Sequence, residues 1–131
     1  MHTYSIGMNE YVKVLVLAFL IAVLDLPWLW FNSKRVSDII SEIQGGRSLN
    51  PRLWAGIPVY LAMGYIVTQQ TSAPRAFLIG LCTYAVYDFT QVFALDRYPI
   101  EFAVADTIWG GLLTALTWWI AHRVGIVAEV K

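Results

Sequence analysis

Three aspartates, Asp25, Asp88 and Asp106, fall inside long apolar runs, with no Lys, Arg or His beside them in the interior of those runs. An ionised side chain at the centre of a membrane helix costs about 2.5 to 3.5 kcal/mol, so such residues are functional candidates by default. Asp25 lies six residues before Phe31, Asp88 seven before Leu95, and Asp106 seven beyond Pro99. At 1.5 Å per helical residue, each sits about 9 to 11 Å from the same end of its helix. Three separate helices therefore bring a carboxyl to one layer. Trp28 follows Asp25 and Trp109 follows Asp106 by three residues, and Tyr84 precedes Asp88 by four, so each pair can share a helix face. Indole and phenol donors can bond a carboxyl where no water is available. Three like charges a few ångströms apart cannot all stay ionised in a low dielectric, so shared protons are expected.

A layer of this kind has several readings. It can be a structural knot that fixes helix register, a proton or cation site, or a hard-oxygen site for a divalent metal. It can also hold a small molecule or lipid headgroup, or be catalytic. Pro27 and Pro58 lie near the same depth and are expected to free backbone carbonyls there. Arg97 or Arg52 reaching inward would neutralise a carboxyl and favour the knot. No Gly-rich phosphate loop, His-based zinc motif or Gly-x-Ser-x-Gly elbow occurs, so the sequence names no cofactor. Tyr87-Asp88 matches half of an intramembrane aspartyl protease pair, but the Gly-x-Gly-Asp half is missing. His2 and His122 fall outside the layer and read as interfacial residues; Cys82, in an apolar run, reads as a small core residue.

The elements that position these residues follow from composition. Of the 131 residues, 58% are hydrophobic and 14% charged, too apolar for a soluble domain of this size. Nine Lys and Arg balance nine Asp and Glu, leaving no basic excess for a nucleic-acid partner. The implied surroundings are a lipid bilayer. Four apolar stretches, about 12–31, 53–69, 75–95 and 100–121, are long enough for membrane helices. Short connections predict an antiparallel up-down bundle, a single all-α transmembrane domain spanning 1–131. Asn50-Pro51 reads as the cap and first residue of the second helix. The first stretch lacks the basic start and small-residue end of a cleaved leader, so it is expected to stay attached.

Between the first two stretches, Val36, Ile39, Ile40 and Ile43 recur at helical spacing before Gly45-Gly46, with Lys34, Arg35, Arg47 and Arg52 around them. This predicts a short amphipathic helix over about 36–44, lying either in the headgroup layer or on its own bundle. Trp28, Trp30 and Trp54 at one end and Trp118 and Trp119 at the other read as interfacial anchors. Ala55, Gly56, Ala62, Gly64, Gly80, Gly110 and Gly111 mark candidate close approaches between helices. Basic residues divide four (Lys13, Arg75, Arg123, Lys131) against five, and the crowding of four in one loop places that loop in the cytoplasm.

Leu24-Asp25-x-x-Trp28-Leu29, Tyr87-Asp88-Phe89-Thr90, Tyr98-Pro99 and Asp106-x-x-Trp109-Gly110, in this order and spacing, resemble the four-helix membrane family termed domain of unknown function 2177. The resemblance covers about Val12 to Val124; Gln91 stands where that family commonly has Asn. It implies a small polytopic protein and supplies no reaction. Function is expected to be non-enzymatic, a packing or accessory component that self-associates as a homo-oligomer or joins a larger membrane complex. The rival is a proton-coupled or cation-handling carrier or channel built on the aspartates.

Overall fold

The computed structural model describes residues 8–129; His2 and Lys131 lie outside them. The described chain is helical, with α1 (Glu10–Phe31), α2 (Ser33–Ile43), α3 (Gly56–Thr68), α4 (Ala73–Ala94) and α5 (Ile100–Arg123), and no strand among those residues. By length and composition α1, α4 and α5 are candidate membrane spans, and Leu53–Thr68 is a shorter apolar helix.

Local chemistry sets the boundaries. Asn9 Oδ1 accepts from the Val12 amide at 3.0 Å and Ser72 Oγ from the Arg75 amide at 3.3 Å, capping α1 and α4 two residues earlier than expected. The second apolar stretch departs further. Arg52 is extended (φ −88°, ψ 89°), Leu53–Ala55 form a 3-10 turn, and α3 starts only at Gly56, so Asn50-Pro51 is upstream of the helix rather than its cap. Pro58 consequently falls in the first turn of α3, where a missing N–H has no helical partner to lose. Of the two prolines, only Pro27, inside α1, lies in a helix interior.

α1 ends at Asn32, whose side-chain amide donates to the Trp28 carbonyl (3.0 Å), and α2 begins at the next residue. Gly45 and Gly46 (φ 70° and 95°) stop α2, with Gly46 N–H bonded to Ser41 O at 2.8 Å. Val36, Ile39, Ile40 and Ile43 are half-buried while Lys34, Arg35, Asp38 and Glu42 are exposed, as the periodicity predicts.

α4 packs along α5 and α1 along α3, and the two pairs meet mainly through α1 and α5, whereas α3 and α4 scarcely touch. A Cβ on Gly64 would lie 2.7 Å from Val14 O and the Ala18 amide, and one on Gly80 would lie 2.5 Å from Gly110 O. Gly110 and Gly111 receive the Tyr84 and Phe77 rings. Gly56, by contrast, meets nothing closer than Tyr60 at 4.0 Å and marks no close approach. Leu17, Ile21, Val67, Ala76, Leu113 and Ala121 form the core, with Ile126 and Val127 folded back onto it after the turn at Gly125.

Two further expectations are overturned. Trp118 is 2% exposed, donates to Gln70 O at 2.9 Å and stacks on His122, so it is a core residue rather than an anchor; Trp30, Trp54 and Trp119 remain outward-facing. Cys82 is exposed, because α4 turns that face away from α5, where Gly80 and Tyr84 make the contact.

Candidate functional site

The aspartates sit at the end of the bundle beneath α2. Asp25 and Asp88 are 4% and 0% exposed, and Asp106 is half-buried. Asp106 stands close enough to both of the others to interact electrostatically with each. Each indole bonds the other helix's carboxyl rather than its own. Trp28 Nε1–H donates to Asp106 Oδ1 at 2.9 Å, and Trp109 Nε1–H donates to Asp25 Oδ1 at 2.7 Å. The two rings stack with centroids 5.3 Å apart and planes 10° from parallel. The two Asp-x-x-Trp segments thus form a reciprocal clasp between α1 and α5, in which an indole at i+3 is carried to its partner helix by the stacking.

Around the clasp, the hydroxyl of Tyr60 on α3 donates to Asp25 Oδ2 at 2.5 Å, so both Asp25 oxygens accept a hydrogen bond. On the α4 side, Tyr98 OH donates to Asp88 Oδ1 at 3.2 Å from the loop between α4 and α5. Burial and then the neighbouring Asp88 charge push the Tyr98 phenol above its ordinary range, keeping it a neutral donor. Asp88 Oδ2 and Thr107 Oγ1 are buried without a hydrogen-bond partner, although Asp106 and Thr107 both flank that carboxyl. Buried orphans of this type are rare in folded proteins.

Among the described residues no base enters the layer. Arg97 and Arg52, whose reaching inward would have favoured the knot, stay outside: Arg97 lies 3.8 Å from Glu42 on α2, and Arg52 is exposed. The other ion pairs among the described residues, Lys13 with Glu10 and Lys34 with Asp38, are equally remote from the aspartates. Arg97 is turned instead to Glu42 on the outer face of α2, while Arg35 lies over the Phe102 ring at 5.4 Å. Among the described residues no group of three or more His, Cys, Asp or Glu is disposed to hold a metal ion.

A cavity of about 400 Å³ opens beside the clasp, in the seam where α3 and α4 diverge. Asp25, Trp28, Tyr60, Tyr84, Tyr87, Gln91, Tyr98, Phe102 and Asp106 contribute to its wall, and Val36, Ile39 and Ile40 of α2 roof it. The apolar face of α2 is thereby turned toward its own bundle. Of the residues singled out from sequence, Asp25, Asp106, Trp28, Trp109 and Asp88 come together as hydrogen-bonding groups or their close neighbours. Tyr84 plays another part: it lines the cavity and packs on Gly110 without bonding an aspartate. Tyr60 and Tyr98 were missed as partners. A tyrosine in the apolar run of α3, two residues beyond Pro58, was the available signal for Tyr60.

Residues 10–122 match the family model of DUF2177, described as a predicted membrane protein. The chain belongs to that family. Comparison with curated proteins and with solved structures returns no match. Family and helices together make this a helical membrane protein with three candidate spans.

Proposed function

We propose that the chain crosses the bilayer four times in alternating directions and acts without catalysis, as a packing or accessory component whose aspartate layer holds the helices in register. The observation that carries this reading is the reciprocal clasp: Trp28 with Asp106 and Trp109 with Asp25, with stacked indoles between. Such cross-helix bonds suit surroundings where lipid supplies no competing water. Alternating directions are supported by the contacts: α1 meets α3 at Ala18–Gly64 and again at Asp25–Tyr60, and α4 meets α5 at Gly80–Gly110 and Phe77–Gly111. Leu53–Thr68, with its 3-10 start, extends about 25 Å, a shortfall against a 30 Å core that local thinning accommodates. Outward-facing Phe19, Ile57, Val86 and Leu112 fit a lipid-facing surface on all four helices.

Topology is tested in a Cys82→Ser background with single cysteines at Ser48, Thr71 and Asp96, labelled by an impermeant maleimide in sealed vesicles. Positions 48 and 96 on one side and 71 on the other support four spans; all three on one side would exclude them. Partner capture in mild detergent then tests the accessory role, with a chain that recovers neither itself nor another membrane protein standing against it. A second reading, a proton- or cation-handling carrier, is favoured by the buried unpartnered Asp88 Oδ2 and the absence of a base from the layer. Ion- or pH-driven flux in reconstituted vesicles, lost in Asp88→Asn with folded protein retained, would install that reading in place of the first.

A further inference from the structure

We propose that the cavity beneath α2 binds an organic cation, an amine or quaternary ammonium group carried on an apolar body. This goes beyond the packing role and does not depend on the number of spans. Four features carry it. At about 400 Å³ the cavity is within the size range of small-molecule sites. Its walls present the Asp25 and Asp106 carboxyls, and none of the residues lining it is Lys, Arg or His. The negative wall has no internal counter-charge, so a cation is the complementary occupant. Trp28, Tyr60, Tyr84 and Tyr98 surround the same space, and aromatic faces attract an alkylammonium group that has shed its water.

The occupant's apolar part is set by α2. Val36, Ile39 and Ile40 give the roof a dry aliphatic surface, which matches a hydrocarbon or ring better than a hydrated metal ion. The seam also explains why the space exists: α3 and α4 diverge there while the clasp fixes α1 against α5, so the walls stay apart without an occupant. Preformed walls reduce the ordering cost of binding. An amine-bearing lipid headgroup and a soluble organic cation share this chemistry.

The test uses the full chain in nanodiscs of phosphatidylglycerol, titrated with benzyltrimethylammonium, its neutral isostere neopentylbenzene and the anion benzylsulfonate. Calorimetry and indole fluorescence give Kd. The ammonium probe is expected to bind about tenfold or more tighter than the neutral isostere, as charge-assisted contacts allow, and benzylsulfonate not at all. Asp106→Asn should weaken the ammonium probe about tenfold. Ile39→Trp, which fills the cavity from a helix outside the core, should abolish binding; this variant decides the matter if Asp106→Asn does not fold. Equal binding of the cation and its neutral isostere, no binding of the cation, or binding indifferent to Ile39→Trp would each overturn the proposal. Replacing half of the lipid with phosphatidylethanolamine, against a control in which a neutral glycolipid replaces the same half and dilutes the surface charge equally, identifies the source: a probe weakened beyond the control indicates headgroup competition, and a Kd equal to the control's indicates a soluble cation. Thermal midpoints of the same variants report on the clasp separately from binding.

Discussion

At the end of the bundle nearer the termini, helices meet through glycine and buried polar atoms are satisfied close to home, apart from the Trp118 indole, which donates to Gln70 O. Thr114 Oγ1 donates to Gly110 O and Thr117 Oγ1 to Leu113 O, both at 2.7 Å within α5, and the core around Leu17, Ile21 and Val67 is closed. At the other end polar atoms are satisfied between helices, by Trp28, Trp109, Tyr60 and Tyr98, and a cavity stands beside them. Backbone proximity holds the first end and side-chain bonds hold the second. Large aromatic donors keep backbones apart, so the region that is specific in its hydrogen bonds is also the region that has room.

This contrast can be broken experimentally. The largest effect is expected from Gly80→Leu, since a Cβ there would meet Gly110 O at 2.5 Å and Thr114, with backbone on one side that cannot yield. Overpacking costs about 1 to 3 kcal/mol or more, and four added carbons should leave no folded chain by size-exclusion in detergent. A monodisperse, heat-stable Gly80→Leu protein would show that this end is not held by close approach. Next comes Asp25→Leu, which strands the Trp109 indole and the Tyr60 hydroxyl and should lower stability by about 2 to 4 kcal/mol in denaturant unfolding. Asp25→Asn should lose less than about 1 kcal/mol, because the Tyr60 hydroxyl can turn to accept from an amide.

Trp28→Phe and Trp109→Phe should each cost about 1 to 2 kcal/mol, and the double variant less than their sum, because the stacked pair acts as a unit. Strict additivity would dissolve the clasp into two unrelated bonds. Trp118→Phe should cost about 1 kcal/mol through the lost bond to Gln70 O, with no coupling to either Trp28 or Trp109. Cys82→Ser, on an outward face, should change stability by less than about 0.5 kcal/mol.

Much of the fold was legible. The apolar runs and the period of Val36, Ile39, Ile40 and Ile43 depend on residues near one another in the chain, and α1, α2, α4 and α5 follow from them. The start of α3 was misread because Asn50-Pro51 is a sound local cap, overridden by an extended Arg52 and the turn at Leu53–Ala55. In the site, helical spacing identified the aspartates and two indoles but assigned each indole to its own helix. Spacing fixes which face a side chain leaves from and says nothing about which neighbour it meets.

By itself the sequence determined an apolar helical chain, three carboxyls at similar distances from the ends of their apolar runs and a short amphipathic helix, since composition, rise per residue and periodicity are properties of a single strand of chain. Only the tertiary structure decided that the indoles are exchanged, that Tyr60 and Tyr98 rather than Tyr84 bond the aspartates, that Trp118 is buried and Cys82 is not, and that α2 roofs a cavity. Those outcomes depend on how two helix pairs dock, which is set by glycine contacts and ring stacking between residues as much as 84 positions apart in the chain.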